Sequence, residues 1–447
     1  MAKLHLITYG CQMNEYDSER VAGLLREQSW ELTESDAEAD LILLNTCAIR
    51  EKCEDKVFSK LGELRRLKAS RPDLVVGVMG CMAQLHQADI RRRAPVVDLV
   101  FGSPAIARVG DLVARVRAGQ RPLVETGEAP LVKITARPAG DRPLRSYVTV
   151  MEGCEKHCTF CVVPMTRGRQ RSHAPASILA EIRGLAAEGC RDVTLLGQTV
   201  EMYGRDLMPA TDLAALLAQV NDVPGLARIR FTTSNPFNFT RRLIRAIRDV
   251  PKVCEWVHLP LQSGSNRVLE RMNRGYTRER YLDLIAELRE TVPDVALSTD
   301  LIVGFPGETD ADFEATLDTV ERVAYDNVFV FRYSARPGTP AARYAEQVPL
   351  DTKAHRNARL LETAGRIAVE RASALAGRTL EVLVDGRSRK SAGELQGRTR
   401  CNRVVNFEAP PGVAVGDVVG VRITEALPHS LRGVVASLPE EAVCLSR

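Results

Sequence analysis

Three apolar runs near the start of the chain end in the same way. Residues 4–9 lead into Gly10-Cys11, residues 41–44 into Asn45-Thr46-Cys47, and residues 74–79 into Gly80-Cys81. Each run has the length and composition of a buried strand that delivers a cysteine at its C-terminal end. Helix-like stretches at 17–28 and 54–68 lie between them. The resulting βαβαβ pattern requires a parallel sheet, and such sheets build their sites outside the carboxyl ends of the strands. Cysteines far apart in sequence are therefore expected on one sheet edge, as a metal site. Cys53, inside a helical pattern, is expected to be an ordinary thiol.

A second cysteine set is compact: Cys154, Cys158 and Cys161 in a Cys-X3-Cys-X2-Cys arrangement. Three soft thiolates suit iron–sulfur or zinc and leave one metal position open to bind something else. A zinc knuckle with His157 as fourth ligand is the competing reading. The triplet directly follows a strand candidate at 146–151, the first of six, with the others at 192–196, 228–233, 256–261, 295–303 and 327–333. Helical stretches at 176–188, 240–248, 278–291 and 310–323 alternate with them. Six β/α units predict an open, partial (β/α)6 barrel, with the triplet in its first βα loop at the catalytic face.

Prolines and glycines between 119 and 145 mark a linker. A long polar helix around 352–375 is followed by short strands at 380–384, 397–407, 418–423 and 431–436, the pattern of a small antiparallel barrel. The chain thus reads as α/β, with a small parallel-sheet domain (1–118), a linker (119–139), the partial barrel (140–371) and a C-terminal β-barrel (372–440). Arg387, Arg389, Lys390, Arg398, Arg400 and Arg403 crowd the first half of that last domain, with Glu394 the only acid among them. Arg398, Arg400 and Asn402 would share one face of a continuous strand, a basic surface suited to nucleic acid. Arg91-Arg92-Arg93 reads as solvated.

Eleven cysteines in 447 residues are too few for a disulfide scaffold and odd in number, so reduced thiols and metal ligands are expected. No apolar run approaches the roughly 18 residues that span a bilayer, and the first residues read as a strand rather than a signal peptide. A cytoplasmic protein is expected. A net charge of +4 permits an acidic partner without requiring one.

The run from Gly153 to Pro164, with Thr166-Arg167-Gly168 after it, resembles the radical S-adenosylmethionine (radical SAM) enzymes, and within them the methylthiotransferase branch. Tyr9-Gly10-Cys11-Gln12-Met13-Asn14, Asn45-Thr46-Cys47 and Gly80-Cys81-Met82-Ala83-Gln84 are similar to that branch's N-terminal domain, and the last domain resembles its RNA-binding TRAM module. Pro260-Leu261-Gln262-Ser263-Gly264-Ser265 and Leu196-Gly197-Gln198 resemble the enzymes that methylthiolate N6-isopentenyladenosine at position 37 of tRNA, beside the anticodon. A branch acting on threonylcarbamoyladenosine is the nearest competitor. A non-catalytic iron–sulfur RNA-binding or electron-carrying protein is a more distant one. Met165, His173 and Val200-Glu201-Met202 depart from the branch pattern, the last replacing an Asn-containing stretch.

This resemblance implies two 4Fe–4S clusters, one on Cys154, Cys158 and Cys161 with S-adenosylmethionine on its open iron, the other on Cys11, Cys47 and Cys81. It further implies a monomer away from membranes, a tRNA substrate and an external electron donor such as flavodoxin or ferredoxin. Gln198, Ser234, Gln262 and Asp300, near the ends of barrel strands, are candidate cofactor contacts. The glycine turn at Gly304 lacks the lysine of a phosphate-binding loop; it is expected to let backbone approach the cofactor, with Thr309 capping the next helix. Arg167, Arg169 and Arg171 alternate after the cluster loop; Arg167 and Arg171, with Arg398, Arg400 and Arg403, are the candidate RNA contacts.

Overall fold

The computed structural model describes residues 1–48, 51–134, 136, 144–388, 391, 393–408 and 410–437. Arg389, Lys390 and the linker residues Pro138, Gly140 and Pro143 lie outside them.

The N-terminal domain runs β1 (Ala2–Tyr9), α1 (Gln12–Glu27), β2 (Trp30–Leu32), β3 (Leu41–Thr46), α2 (Glu51–Ser70), β4 (Val75–Met79), α3 (Cys81–Arg93), β5 (Leu99–Phe101), α4 (Val109–Arg117) and β6 (Leu123–Glu125). Its sheet is parallel throughout, in the order β2-β1-β3-β4-β5-β6. The three expected strands hold its centre. Along β3, Leu41 and Leu43 pack on one face while Ile42 and Leu44 pack on the other, so both faces are covered and the run is apolar without alternation. Strand β6 falls within the segment expected to be linker, and the first domain therefore extends past residue 118.

The central domain continues through β7 (Arg145–Thr149), β8 (Met151–Glu152), α5 (Val163–Arg167), β9 (Arg171–Ser172), α6 (Pro175–Ala187), β10 (Asp192–Leu196), α7 (Leu213–Asn221), β11 (Arg228–Thr232), α8 (Arg241–Asp249), β12 (Trp256–His258), α9 (Asn266–Arg271), α10 (Arg278–Thr291), β13 (Ala296–Val303), α11 (Asp310–Val323) and β14 (Asn327–Arg332). The six long-expected strands form two parallel halves, β7-β10-β11 and β12-β13-β14, joined by a bridge between Ile229 and Val253. The barrel is open, and apolar side chains from its strands and surrounding helices fill one core. Thr309 caps α11 reciprocally with Asp312, as expected.

Helix α12 (Leu350–Ser373) leads to a closed five-stranded barrel: β15 (Thr379–Arg387), β16 (Glu394–Thr399), β17 (Val404–Glu408), β18 (Val418–Ala426) and β19 (Leu431–Ser437). Its pairs are antiparallel except β17 with β19. The run expected as one strand over 397–407 is a hairpin. Asn402 takes a left-handed backbone (φ 65°), so the chain reverses between Thr399 and Val404. Arg398, Arg400 and Asn402 therefore do not line one strand face.

That hairpin docks on the N-terminal rim of the central barrel. Arg400 grips Glu255 with two bonds of 2.8 and 2.7 Å and donates to the Val253 carbonyl; Arg403 meets Asp326 at 2.8 Å. In return, Arg230 donates to the carbonyls of Arg400 and Thr399, and the fully buried Arg228 to that of Arg398. Arg398 bonds Asn402 and stands 3.6 Å from Asp385. These three expected RNA contacts are thus spent on protein, because half-buried arginines find carboxylates and carbonyls at the domain seam.

A double-mutant cycle on Arg400→Ala and Glu255→Ala should give a coupling of about 1–2 kcal/mol in thermal or denaturant unfolding. Either single variant should speed protease cleavage at the α12–β15 junction.

Candidate functional site: two cysteine trios at facing sheet edges

Register places the first trio. Tyr9 pairs with Thr46, and Asn45 with Met79, so β1, β3 and β4 end level. Cys11 then caps α1, Cys47 follows β3, and Cys81 opens α3. Beneath them lie two asparagines with no solvent exposure. Asn14 accepts from the Cys11 thiol at 3.4 Å and donates to Asn45 at 3.0 Å, and Asn45 returns a bond to the Asn14 carbonyl at 2.8 Å. A hydrogen bond with Cys47 is the main reason the Cys11 thiol is drawn down to about 5; burial opposes this and the Arg167 charge assists. Cys81 is pushed up by burial, against which Arg167 works.

The second trio sits in the loop after β7, at the C-terminal mouth of the barrel. Strands β8 and β9 pair Met151 with Ser172 and Glu152 with Arg171, and the Cys154 N–H donates to the Gly168 carbonyl at 3.1 Å. Gly153 has φ 76°, and a Cβ there would collide with the Arg169 carbonyl, so only glycine closes the loop. The segment after α9 pins its other side: Met272 accepts from the Thr159 N–H at 3.1 Å, and Asn273 donates to the His157 carbonyl at 2.9 Å. Phe160 packs edge-on against Phe305. Cys154 accepts from the Lys156 N–H at 3.4 Å and Cys158 from Arg274 at 3.4 Å. Burial pushes Cys161 up to about 12 and raises Cys154. A metal bound beside Cys154 and Cys161 would offset this by favouring their thiolates.

Among the described residues no three His, Cys, Asp or Glu side chains converge on a single ion. A cluster asks for another arrangement, one thiolate per iron around a cube. His157 is exposed, apart from the buried thiols, which disfavours the zinc knuckle.

The two sets belong to facing edges. Cys81 packs with Ala48 against Val162, next to Cys161, and Cys11 packs with Met13 and Tyr16 against Leu196 at the end of β10. Buried ion pairs fasten this seam: Glu181 takes both Arg20 and Lys133, and Asp17 takes Arg167 at 2.6 Å. Arg336 and Glu54 pair at 2.8 Å elsewhere along it. Arg167 is therefore buried inside the protein, not displayed to RNA. Arg171 is half-buried and donates to the Ala129 carbonyl at 2.8 Å, whereas Arg169 is exposed.

The barrel mouth carries the remaining candidates. Gln198 Oε1, Ser234 Oγ, Glu201 Oε2 and Tyr333 OH are buried without hydrogen-bond partners, all just beyond the C-terminal ends of β10, β11 and β14. Thr233 and Gln262 hold left-handed backbones there, at φ 70° and 72°. Unpartnered acceptors and hydroxyls on one rim fit a polar ligand with amine and hydroxyl groups, as S-adenosylmethionine has. Asp300 instead faces His258 at 3.4 Å. The space beside Gly304 is taken by the Lys353 side chain of α12, and the Gly304 N–H is held by Glu308 at 2.6 Å. Glu201, Arg274 and the Asn14–Asn45 pair were not singled out as site residues by sequence reasoning. Glu201 was marked only as a departure from the family pattern, and Asn14 and Asn45 stood within the cysteine motifs.

Residues 148–320 match the radical SAM superfamily, residues 374–436 the TRAM domain, and residues 3–102 an uncharacterized protein family, UPF0004. The fold agrees: a radical S-adenosylmethionine methyltransferase, TsrM, from Kitasatospora setae superposes with a TM-score of 0.57 at 17% identity, over 76% of this chain and 75% of that one. The chain is thus a radical SAM protein, a superfamily that uses S-adenosylmethionine and a 4Fe–4S cluster. It is 47% identical to the tRNA-2-methylthio-N(6)-dimethylallyladenosine synthase of Methylococcus capsulatus, over 99% of this chain and 98% of that protein. It is also 47% identical to the synthase of the same name from Moorella thermoacetica, over 96% and 97%. The chain belongs to the tRNA-2-methylthio-N(6)-dimethylallyladenosine synthase family.

Gly153→Ala should lower the iron and sulfide that the protein retains, read by iron analysis after anaerobic reconstitution. Burial raises the Glu201 carboxyl from 4.5 to about 7. The folded value exceeds the unfolded one, so its destabilising effect is absent below about pH 4.5 and complete above about pH 7. Glu201→Gln should therefore stabilise the apoprotein by up to about 3 kcal/mol near pH 8 and hardly at all near pH 4, measured by thermal unfolding.

Proposed function

We propose that this protein transfers a methylthio group to C2 of N6-isopentenyladenosine (dimethylallyladenosine) at position 37 of tRNA. The observation that carries the reading is the packing of both cysteine trios across one seam, Cys81 against Val162 and Cys11 against Leu196. The C2 hydrogen of adenine is unactivated, and no side-chain base removes it at neutral pH. Bound at the two trios, two 4Fe–4S clusters and S-adenosylmethionine would supply a carbon radical to take that hydrogen and a methylated sulfur to replace it. Cys154, Cys158 and Cys161 hold the first cluster, and Cys11, Cys47 and Cys81 the second. Gln198, Ser234, Glu201 and Gln262 orient the cofactor, while the ion pairs of the seam keep the two sites in register.

The chain's own residues also receive the RNA. Phe237, in a short turn fixed by the Asn235 side chain, is exposed beside the mouth, with the Lys156 ammonium 4.6 Å from its ring centroid. An exposed ring with a lysine over it suits a nucleotide: the base stacks on the ring and the ammonium meets its phosphate. Arg169, exposed on the same loop, adds charge. The enzyme works as a cytoplasmic monomer and draws electrons from a small donor such as flavodoxin or ferredoxin. Among the described residues no helix is long and apolar enough to cross a membrane.

Expression in bacteria lacking their own enzyme should restore 2-methylthio-N6-isopentenyladenosine, detected by mass spectrometry of tRNA nucleosides, and Cys154→Ala should abolish it. Appearance instead of the methylthiolated threonylcarbamoyl nucleoside would refute the substrate assignment. Phe237→Ala should weaken binding of an anticodon stem-loop about tenfold without changing cluster content.

A further inference from the structure

The buried Arg167 does more than fasten the seam. It leaves α5 just after the second trio yet points into the first. Its guanidinium pairs with Asp17 of α1 at 2.6 Å, and both side chains are buried. Beyond that pair, its charge bears on Cys81, on Cys11 and on Glu152. Val162, at the start of the helix that carries Arg167, packs against Cys81, so that helix lies beside the first trio. The guanidinium fork suits the position: one edge holds the carboxylate while other N–H groups remain for sulfur, which a single ammonium does less well.

We propose that Arg167 is a positioning residue for the sulfur-carrying site of Cys11, Cys47 and Cys81, placing a fixed positive charge and N–H donors against its thiolates, with Asp17 holding the guanidinium in place. This rests on the two-cluster reading above. A cluster ligated by three thiolates is anionic, and donors or positive charge at its sulfurs favour the reduced form. Arg167 thereby raises the reduction potential of the first-domain cluster, and a residue of the radical-generating domain tunes the site that its radical serves. Asp17 is needed because a buried guanidinium without a carboxylate is strongly unfavourable.

The test uses the full-length protein carrying Cys154→Ala, Cys158→Ala and Cys161→Ala, in which only the first-domain cluster remains, reconstituted anaerobically and titrated with a low-potential reductant under electron paramagnetic resonance. In that background the neutral pair Arg167→Gln with Asp17→Asn, which keeps a hydrogen bond and strands no charge, should shift the midpoint to more negative potential. Arg167→Lys, which keeps the charge beside Asp17, should retain most of the original midpoint and remains informative if the neutral pair folds poorly. An unchanged midpoint in the neutral pair, or an equal negative shift in Arg167→Lys, overturns the role. A background protein that binds no cluster overturns the two-cluster reading and this role with it, an outcome distinct from a cluster whose midpoint does not move.

Discussion

Glu181 holds two cations at once, Arg20 from the first domain and Lys133 from the connecting segment, in a seam with almost no solvent access. Asp17 and Arg167 repeat the arrangement a short way off. The proposed chemistry depends on that seam, because in it neither cysteine trio serves the other unless two separately folded sheets meet at one distance and one angle. Apolar contact alone tolerates sliding. Buried ion pairs do not, since a shift that separates the partners leaves unpaired charge in a low-dielectric interior, at a cost of about 3–5 kcal/mol for each broken pair.

Much of this was legible in the chain. Strands β1, β3 and β4, of five to eight residues, each end one or two residues before a cysteine, and the parallel-sheet rule alone brings those cysteines to one edge. The six strands of the central barrel were legible for the same reason, as was the glycine-bounded rhythm of the last domain. Strands β2, β5 and β6 were not, for they span three residues each and gain their identity from a neighbour already in place. The division at residue 118 failed with them, because β6 lies among prolines and glycines that usually mark a connection.

Charge was the harder matter. Arg398, Arg400 and Arg403 look in sequence like a basic surface, and nothing local distinguishes an arginine awaiting phosphate from one awaiting Glu255 or Asp326. The answer depends on a partner more than seventy residues away. Asn402 added to the difficulty by turning back what reads as one strand. Arg167 poses the same problem in reverse: alternation with Arg169 and Arg171 suggested an exposed edge, but a short helix carries its side chain inward to Asp17. Gly304 was legible as a glycine that something must approach, while the identity of that neighbour, Lys353, depended on the return of α12.

The docking of the last barrel has a consequence of scale. Arg145, Arg228, Glu255, Asp294 and Asp326, which hold it, all stand at or just before the first residues of the central strands, while the cluster loop and Phe237 stand past their ends. The two regions are separated by the height of the barrel wall, roughly 15–25 Å for strands of five to eight residues. An RNA that touches both must run along the outside of that wall. For such an RNA the distance from the β-barrel to the mouth would act as a ruler, set by the length of the central strands.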